Sequence, residues 1–239
     1  MDKFKETTYS FCWPLDWVPI HFPNIRILGL NYESFLSMWV KKHCPCEVKT
    51  GKLVTRSNEY LSGLAEAGIG SKGRPVVWVG HSMGGLIIKY IINLALLSDN
   101  PKIRQIGENT RGIIFLGTPH KGSSIAKLSQ QTSVLLWPSI EVQDMEENSK
   151  ELLKMHEEFL SNVSKHSKPI EIVSIAEGSP TKVFQNIKLN IVPLDSSYLG
   201  VGDFYVSSEN HLNLSKPLSK SSFIYLKLIE MIEKIMTDE

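Results

Sequence analysis

The sequence predicts an α/β domain, a mainly parallel sheet with helices on both faces, and three observations carry that prediction. Short continuous apolar runs, such as Pro75 to Val79, Ile113 to Leu116 and Ile170 to Ile175, have the pattern of strands buried on both sides. Segments of helical periodicity alternate with them, as expected for a sheet covered by helices. A Gly-x-Ser-x-Gly turn joins one of the runs directly to a helix.

Along the chain, the first 24 residues carry Trp13, Pro14, Trp17, Pro19 and Pro23 and read as an irregular packed lead-in. Ile25 to Leu30 is a buried-strand candidate, and Ser57 to Ala67 is helical until Gly68, Gly70 and Gly73 break it. Leu86 to Leu97 is apolar on nearly every side, the mark of a buried helix. Glu151 to Leu160 places Leu152, Leu153, His156, Phe159 and Leu160 on one face. Ile187 to Val192 is a further strand candidate, and Tyr225, Leu228, Ile229, Ile232, Ile235 and Met236 outline an amphipathic final helix. Residues 121–148 fit no regular element and hold Val134, Leu135, Leu136, Trp137 and Ile140 in a polar context, which makes them a cap or lid candidate.

A chain of 239 residues fits a single domain, residues 1–239. A formal net charge of +1, with lysines scattered, argues against nucleic acid as a partner and against a polybasic membrane tether. No apolar stretch approaches the roughly 20 residues that span a bilayer, and the N-terminus has no signal-peptide core. Contact with a membrane surface remains compatible with this composition. Three cysteines, Cys12, Cys44 and Cys46, form no disulfide framework. Cys44 and Cys46 lie beside His43, but one intervening residue and no second cluster make a weak metal signal, so no metal or other cofactor is expected.

The chemistry concentrates in Val76-Val77-Trp78-Val79-Gly80-His81-Ser82-Met83-Gly84-Gly85-Leu86. A strand that turns into a helix within a few residues forces its serine into strained backbone geometry, and side chains at Gly80 and Gly84 would collide with neighbouring backbone. Such a turn presents the Ser82 hydroxyl at a helix N-terminus, where developing negative charge is favoured. The Met83 amide is then an oxyanion donor. This context defines an α/β-hydrolase nucleophile turn.

A serine hydroxyl needs a base, and this fold orders its triad as serine, acid, histidine. Four histidines follow Ser82: His120, His156, His166 and His211. His211 precedes the final helix, where a base-bearing loop belongs. His156 lies on an apolar helical face, His166 in a polar linker, and His120 just beyond a strand. His120 and His81 are assigned to substrate contact. For the acid, Asp195 follows the Ile187 to Val192 run and ranks first, Asp203 second; Glu209 is awkwardly close to His211.

Taken together, these segments resemble the SERAC family of serine-active-site-containing proteins. The resemblance runs over nearly the whole chain, through Cys12-Trp13-Pro14, Arg56-Ser57-Asn58-Glu59, the Ser82 segment, Thr110 to Phe115 and Pro119-His120 with Gly122-Ser123. It continues through Val192-Pro193, Gly200-Val201-Gly202-Asp203, Asn210-His211-Leu212-Asn213 and Lys216-Pro217. The family carries an acid followed by serine at the place of Asp195-Ser196, which supports Asp195. The resemblance implies an acyl hydrolase or acyltransferase acting on lipid esters, linked to phosphatidylglycerol remodelling and intracellular cholesterol trafficking at mitochondrion–endoplasmic reticulum contacts. It also implies an upstream strand and a His-Gly-rich loop that supplies a second oxyanion donor. The chain is therefore expected to be an N-terminally truncated catalytic domain without the first strands. The alternative expectation is a catalytically impaired hydrolase serving as a lipid-binding or scaffolding module.

Overall fold

The computed structural model describes residues 12–31, 53–122, 150–184 and 187–237. Four strands form a parallel sheet in the order β1-β2-β3-β6: β1 (Val76–His81), β2 (Thr110–Leu116), β3 (Glu171–Glu177) and β6 (Asp203–Ser207). The short apolar runs become these strands because both sheet faces are covered. Every residue of β2 is buried. On one face lie α3 (Leu53–Glu66), α4 (Met83–Leu97), α5 (Pro101–Glu108) and α6 (Lys150–Ser164). They share a core around Leu53, Leu61, Leu86, Ile87, Ile91 and Leu152. The other face is covered by α8 (Phe223–Thr237), whose Leu228, Ile229, Ile232 and Ile235 pack with Ile114, Leu116, Val173 and Ile175.

The Trp- and Pro-rich lead-in forms two short helical turns, α1 (Trp13–Asp16) and α2 (Val18–His21). Trp13 and Trp17 meet the buried Tyr225 of α8 edge to face, with ring centroids 6.1 and 5.4 Å away. Aromatic edge-to-face packing, rather than helix propensity, holds these turns on the domain.

Two expectations about strands need correction. Residues 25–30 join no ladder, and Ile27, Leu28 and Leu30 are exposed. The Ile187 to Val192 run does not enter the main sheet. It supplies β5 (Ile187–Leu189), the antiparallel partner of β4 (Thr181–Phe184) in a separate two-stranded excursion between β3 and α7 (Leu194–Ser197). The fourth sheet strand is instead β6, beside β3. The helix α5 adds to the expected elements; Asn100 caps it by accepting the Lys102 amide at 3.0 Å, with Pro101 in its first turn.

Among the described residues β1 has no partner on its second edge. A groove of about 880 Å³ runs there, lined by Val77, Val79 and His81 of β1, Tyr60 of α3, Ile87 of α4 and Ile235 of α8. No helix among the described residues is long and apolar enough to cross a membrane. His43, Cys44 and Cys46, and the cap candidate beyond residue 122, lie outside the described residues.

Candidate active site

The sheet places its chemistry at the C-terminal ends of its strands. β1 ends at His81 and α4 begins at Met83, so the whole reversal falls on Ser82, at φ 53° and ψ −126°. A positive φ at a residue with a Cβ costs of order 1–3 kcal/mol and persists only where its surroundings enforce it. Here the Ser82 amide donates to the Leu116 carbonyl at the end of β2 (2.8 Å), and the Gly85 amide donates back to the Ser82 carbonyl (3.1 Å). Close packing completes the constraint. A Cβ on Gly80 would lie 2.7 Å from the Gly85 Cα, and one on Gly85 would lie 2.0 Å from Thr118 Oγ1. Met83 opens α4, so its amide is among the first-turn N–H groups that have no intrahelical acceptor.

His211 stands on the loop between β6 and α8, and its Nε2 is 3.0 Å from Ser82 Oγ. Its Nδ1 is 3.2 Å from Oε2 of Glu177, whose side chain is wholly covered. The ring N–H does not aim straight at that oxygen, so the contact is an approach at ion-pair distance rather than a linear hydrogen bond. Such bonds are commonly loose before substrate arrives. The other carboxylate oxygen of Glu177 accepts the Val192 amide at 2.8 Å, which fixes the side chain. Gly117, at φ +56°, lies against the imidazole; a Cβ there would come within 2.9 Å of His211 Nδ1.

The carboxylate that the structure brings to His211 is not the one expected from sequence. Glu177, the last residue of β3, faces His211, whereas Asp195 is exposed on α7. Asp203 pairs in register with Val173, four residues before Glu177. At the rise of a parallel strand that is about 13 Å from the catalytic end of the sheet. What could have shown Glu177 is a carboxylate closing a mostly apolar run, Ile172-Val173-Ser174-Ile175-Ala176-Glu177. Next to Asp195, Ser196 has a structural task. Its carbonyl accepts the His120 amide (2.8 Å) and its hydroxyl accepts the Lys121 amide (3.1 Å), tying α7 to the loop after β2.

Of the two histidines expected to touch substrate, His120 is buried and His81 bonds within the protein. His120 is fully buried, edge-on to Phe115 at 4.7 Å, and neither ring nitrogen has a hydrogen-bond partner among the described residues. Burial, and then the neighbouring basic groups Lys89, His156 and Lys121, hold it well below the usual histidine range. His81 donates from Nε2 to the His211 carbonyl at 2.8 Å. Its pKa is lowered to about 4, first by burial and then by the neighbouring His211. Of the remaining downstream histidines, His156 contacts Lys89 Nζ through Nδ1 at 2.9 Å, and His166 braces the Lys168 and Gly107 carbonyls.

A parallel sheet with a strained serine between strand and helix, and a histidine after the last strand, defines the α/β-hydrolase fold. A solved structure agrees: the Bacillus licheniformis lipase BlEst2 in mature form superposes with a TM-score of 0.51 at 17% identity, covering 75% of each chain. More specifically, the chain is homologous to Protein SERAC1 over nearly all of its length. It is 40% identical to the Bos taurus protein over 234 residues and 38% identical to the Homo sapiens protein over 234 residues, 98% of this chain in each case. The chain spans about a third of the length of these relatives, 34% of each. No family model matches it.

Proposed function

We propose that the protein is a serine acyl hydrolase or acyltransferase acting on lipid esters, with Ser82 as nucleophile, His211 as base and Glu177 as acid. The observation that carries this reading is the 3.0 Å approach of His211 Nε2 to Ser82 Oγ at a strained strand-to-helix turn. His211 Nε2 takes the Ser82 proton as Oγ attacks the ester carbonyl. The oxyanion forms near the first turn of α4, where the Met83 amide donates to it. Glu177 stabilises the imidazolium, which then gives its proton to the departing alkoxide and leaves an acyl-Ser82 ester. Water or a lipid hydroxyl attacks that ester next, giving its proton to His211, and Ser82 takes it back on release.

The family relation extends the reading to phospholipids and to phosphatidylglycerol remodelling at mitochondrion–endoplasmic reticulum membranes, with peripheral membrane contact. Acyl transfer between lipids fits the same acyl-enzyme. A fluorophosphonate probe tests the chemistry: the protein is expected to be labelled and Ser82→Ala is not. Equal labelling of both would exclude Ser82. The apolar groove beside His81 favours a second reading, a lipid-binding module without turnover. Phosphatidylglycerol binding with neither labelling nor acyl release is the outcome that supports it.

A further inference from the structure

His211 has four polar groups, and the proposed reaction uses only the two ring nitrogens. The other two, its backbone N–H and C=O, are held by side chains from separate elements. The His211 amide donates to Oγ1 of Thr181, the buried first residue of β4, at 3.1 Å. The His211 carbonyl accepts from His81 Nε2 at 2.8 Å. His81 is the last residue of β1 and immediately precedes Ser82. One side chain therefore ties the strand that carries the nucleophile to the loop that carries the base. That loop is a turn closed by the Asn213 and Leu214 amides on the Asn210 carbonyl, outside any strand ladder.

We propose that His81 is a positioning residue, whose hydrogen bond to the His211 carbonyl sets the distance between the base and Ser82. This inference rests on the Ser82–His211 reading above. The chemistry suits a histidine. A carbonyl acceptor requires the Nε2–H tautomer, which a neutral imidazole supplies. With its pKa lowered to about 4, His81 adds no second positive charge beside a ring that must itself become cationic; the two ring centroids are 4.9 Å apart. Lysine or arginine would make the same bond and oppose that charge. Displacement of a reacting group by about 1 Å can cost roughly 100-fold in rate, so a loosened carbonyl has a measurable consequence.

The test compares His81→Leu, which removes the donor, with His81→Gln, which restores an N–H donor at similar reach. Both are measured for hydrolysis of a soluble p-nitrophenyl ester, with Ser82→Ala as the reference for loss of chemistry. His81→Leu is expected to lower kcat about 10- to 100-fold with KM within about twofold, and His81→Gln to recover most of the loss. A merely structural His81 would give parallel losses in both variants, tracking their thermal stability, and that result would overturn the inference. Wild-type kcat in His81→Leu, with Ser82→Ala inactive, would overturn the positioning role and leave the Ser82 reading intact. Retained hydrolysis in Ser82→Ala would overturn both.

Discussion

Glu177 divides its two oxygens between two tasks: Oε1 accepts the Val192 amide, and Oε2 faces His211 Nδ1. That division makes Glu177→Gln informative. The Val192 N–H needs an acceptor, so the glutamine carbonyl keeps that place and its NH2 group turns toward the imidazole. An NH2 donor at Nδ1 selects the tautomer protonated at Nε2, which cannot take a proton from Ser82. The expected loss in kcat is about 10⁴-fold, as when the acid of a serine triad becomes its amide. Asp195→Asn and Asp203→Asn are expected to stay within a few-fold of the parent. Steady-state rates on one ester across the three variants decide it, and a large loss in Asp195→Asn would reassign the acid.

At the level of elements, the nucleophile turn was legible in sequence because local sterics specify it. Gly80 of the motif lies where a Cβ meets backbone within 3 Å, and such a position leaves a glycine signature; Gly85, next after the motif, is as tightly packed against Thr118. Gly85→Ala would drive a methyl group against Thr118 and Phe115, 2.0 and 2.9 Å from the ideal Cβ. Overpacking of this kind typically costs about 1–3 kcal/mol. Melting of Gly85→Ala is expected several degrees below the parent, with slower fluorophosphonate labelling because the turn itself must shift; an unchanged melt would show that Thr118 gives way freely. The carboxylate facing His211 was less legible, for a reason that also lies in the elements. The Ile187 to Val192 run reads like a sheet strand, yet β5 pairs with β4 in a hairpin, and pairing partners are long-range choices that periodicity does not encode. Read as a sheet strand, that hairpin points to the loop carrying Asp195, whereas the carboxylate beside His211 closes β3 one connection earlier.

For the whole molecule, the least expected feature is a set of buried bases whose pKa values the fold lowers. Lys89 of α4 is fully buried, with Nζ 2.9 Å from His156 Nδ1, and burial alone lowers its pKa to about 7. His156 falls to about 4 through burial, then the charges of Lys89 and Lys121; His81 falls to about 4 as well, and His120 is shifted in the same direction. Lys89 is the one charged residue of α4, and the packing of α6 on α4 carries it into the core. The direction of the pH effect follows from proton counts. Between its folded and unfolded pKa each of these bases binds more protons in the unfolded chain, so stability rises with pH across that interval. For His81 and His156 the interval runs from about 4 to 6.5, and acid weakens the fold there. For Lys89 it runs from about 7 to 10.5, so the cost of burying the amine is present in full below pH 7 and relieved as pH rises. Lys89→Met keeps the length of the side chain and removes the charge. It is expected to raise the melting temperature by several degrees at pH 6–7, with the advantage fading toward pH 10.5. Calorimetric or dichroism melts of the two proteins across that range measure it. A variant less stable than the parent by the same margin at every pH would mean that the Lys89–His156 contact supports the core more than its burial costs.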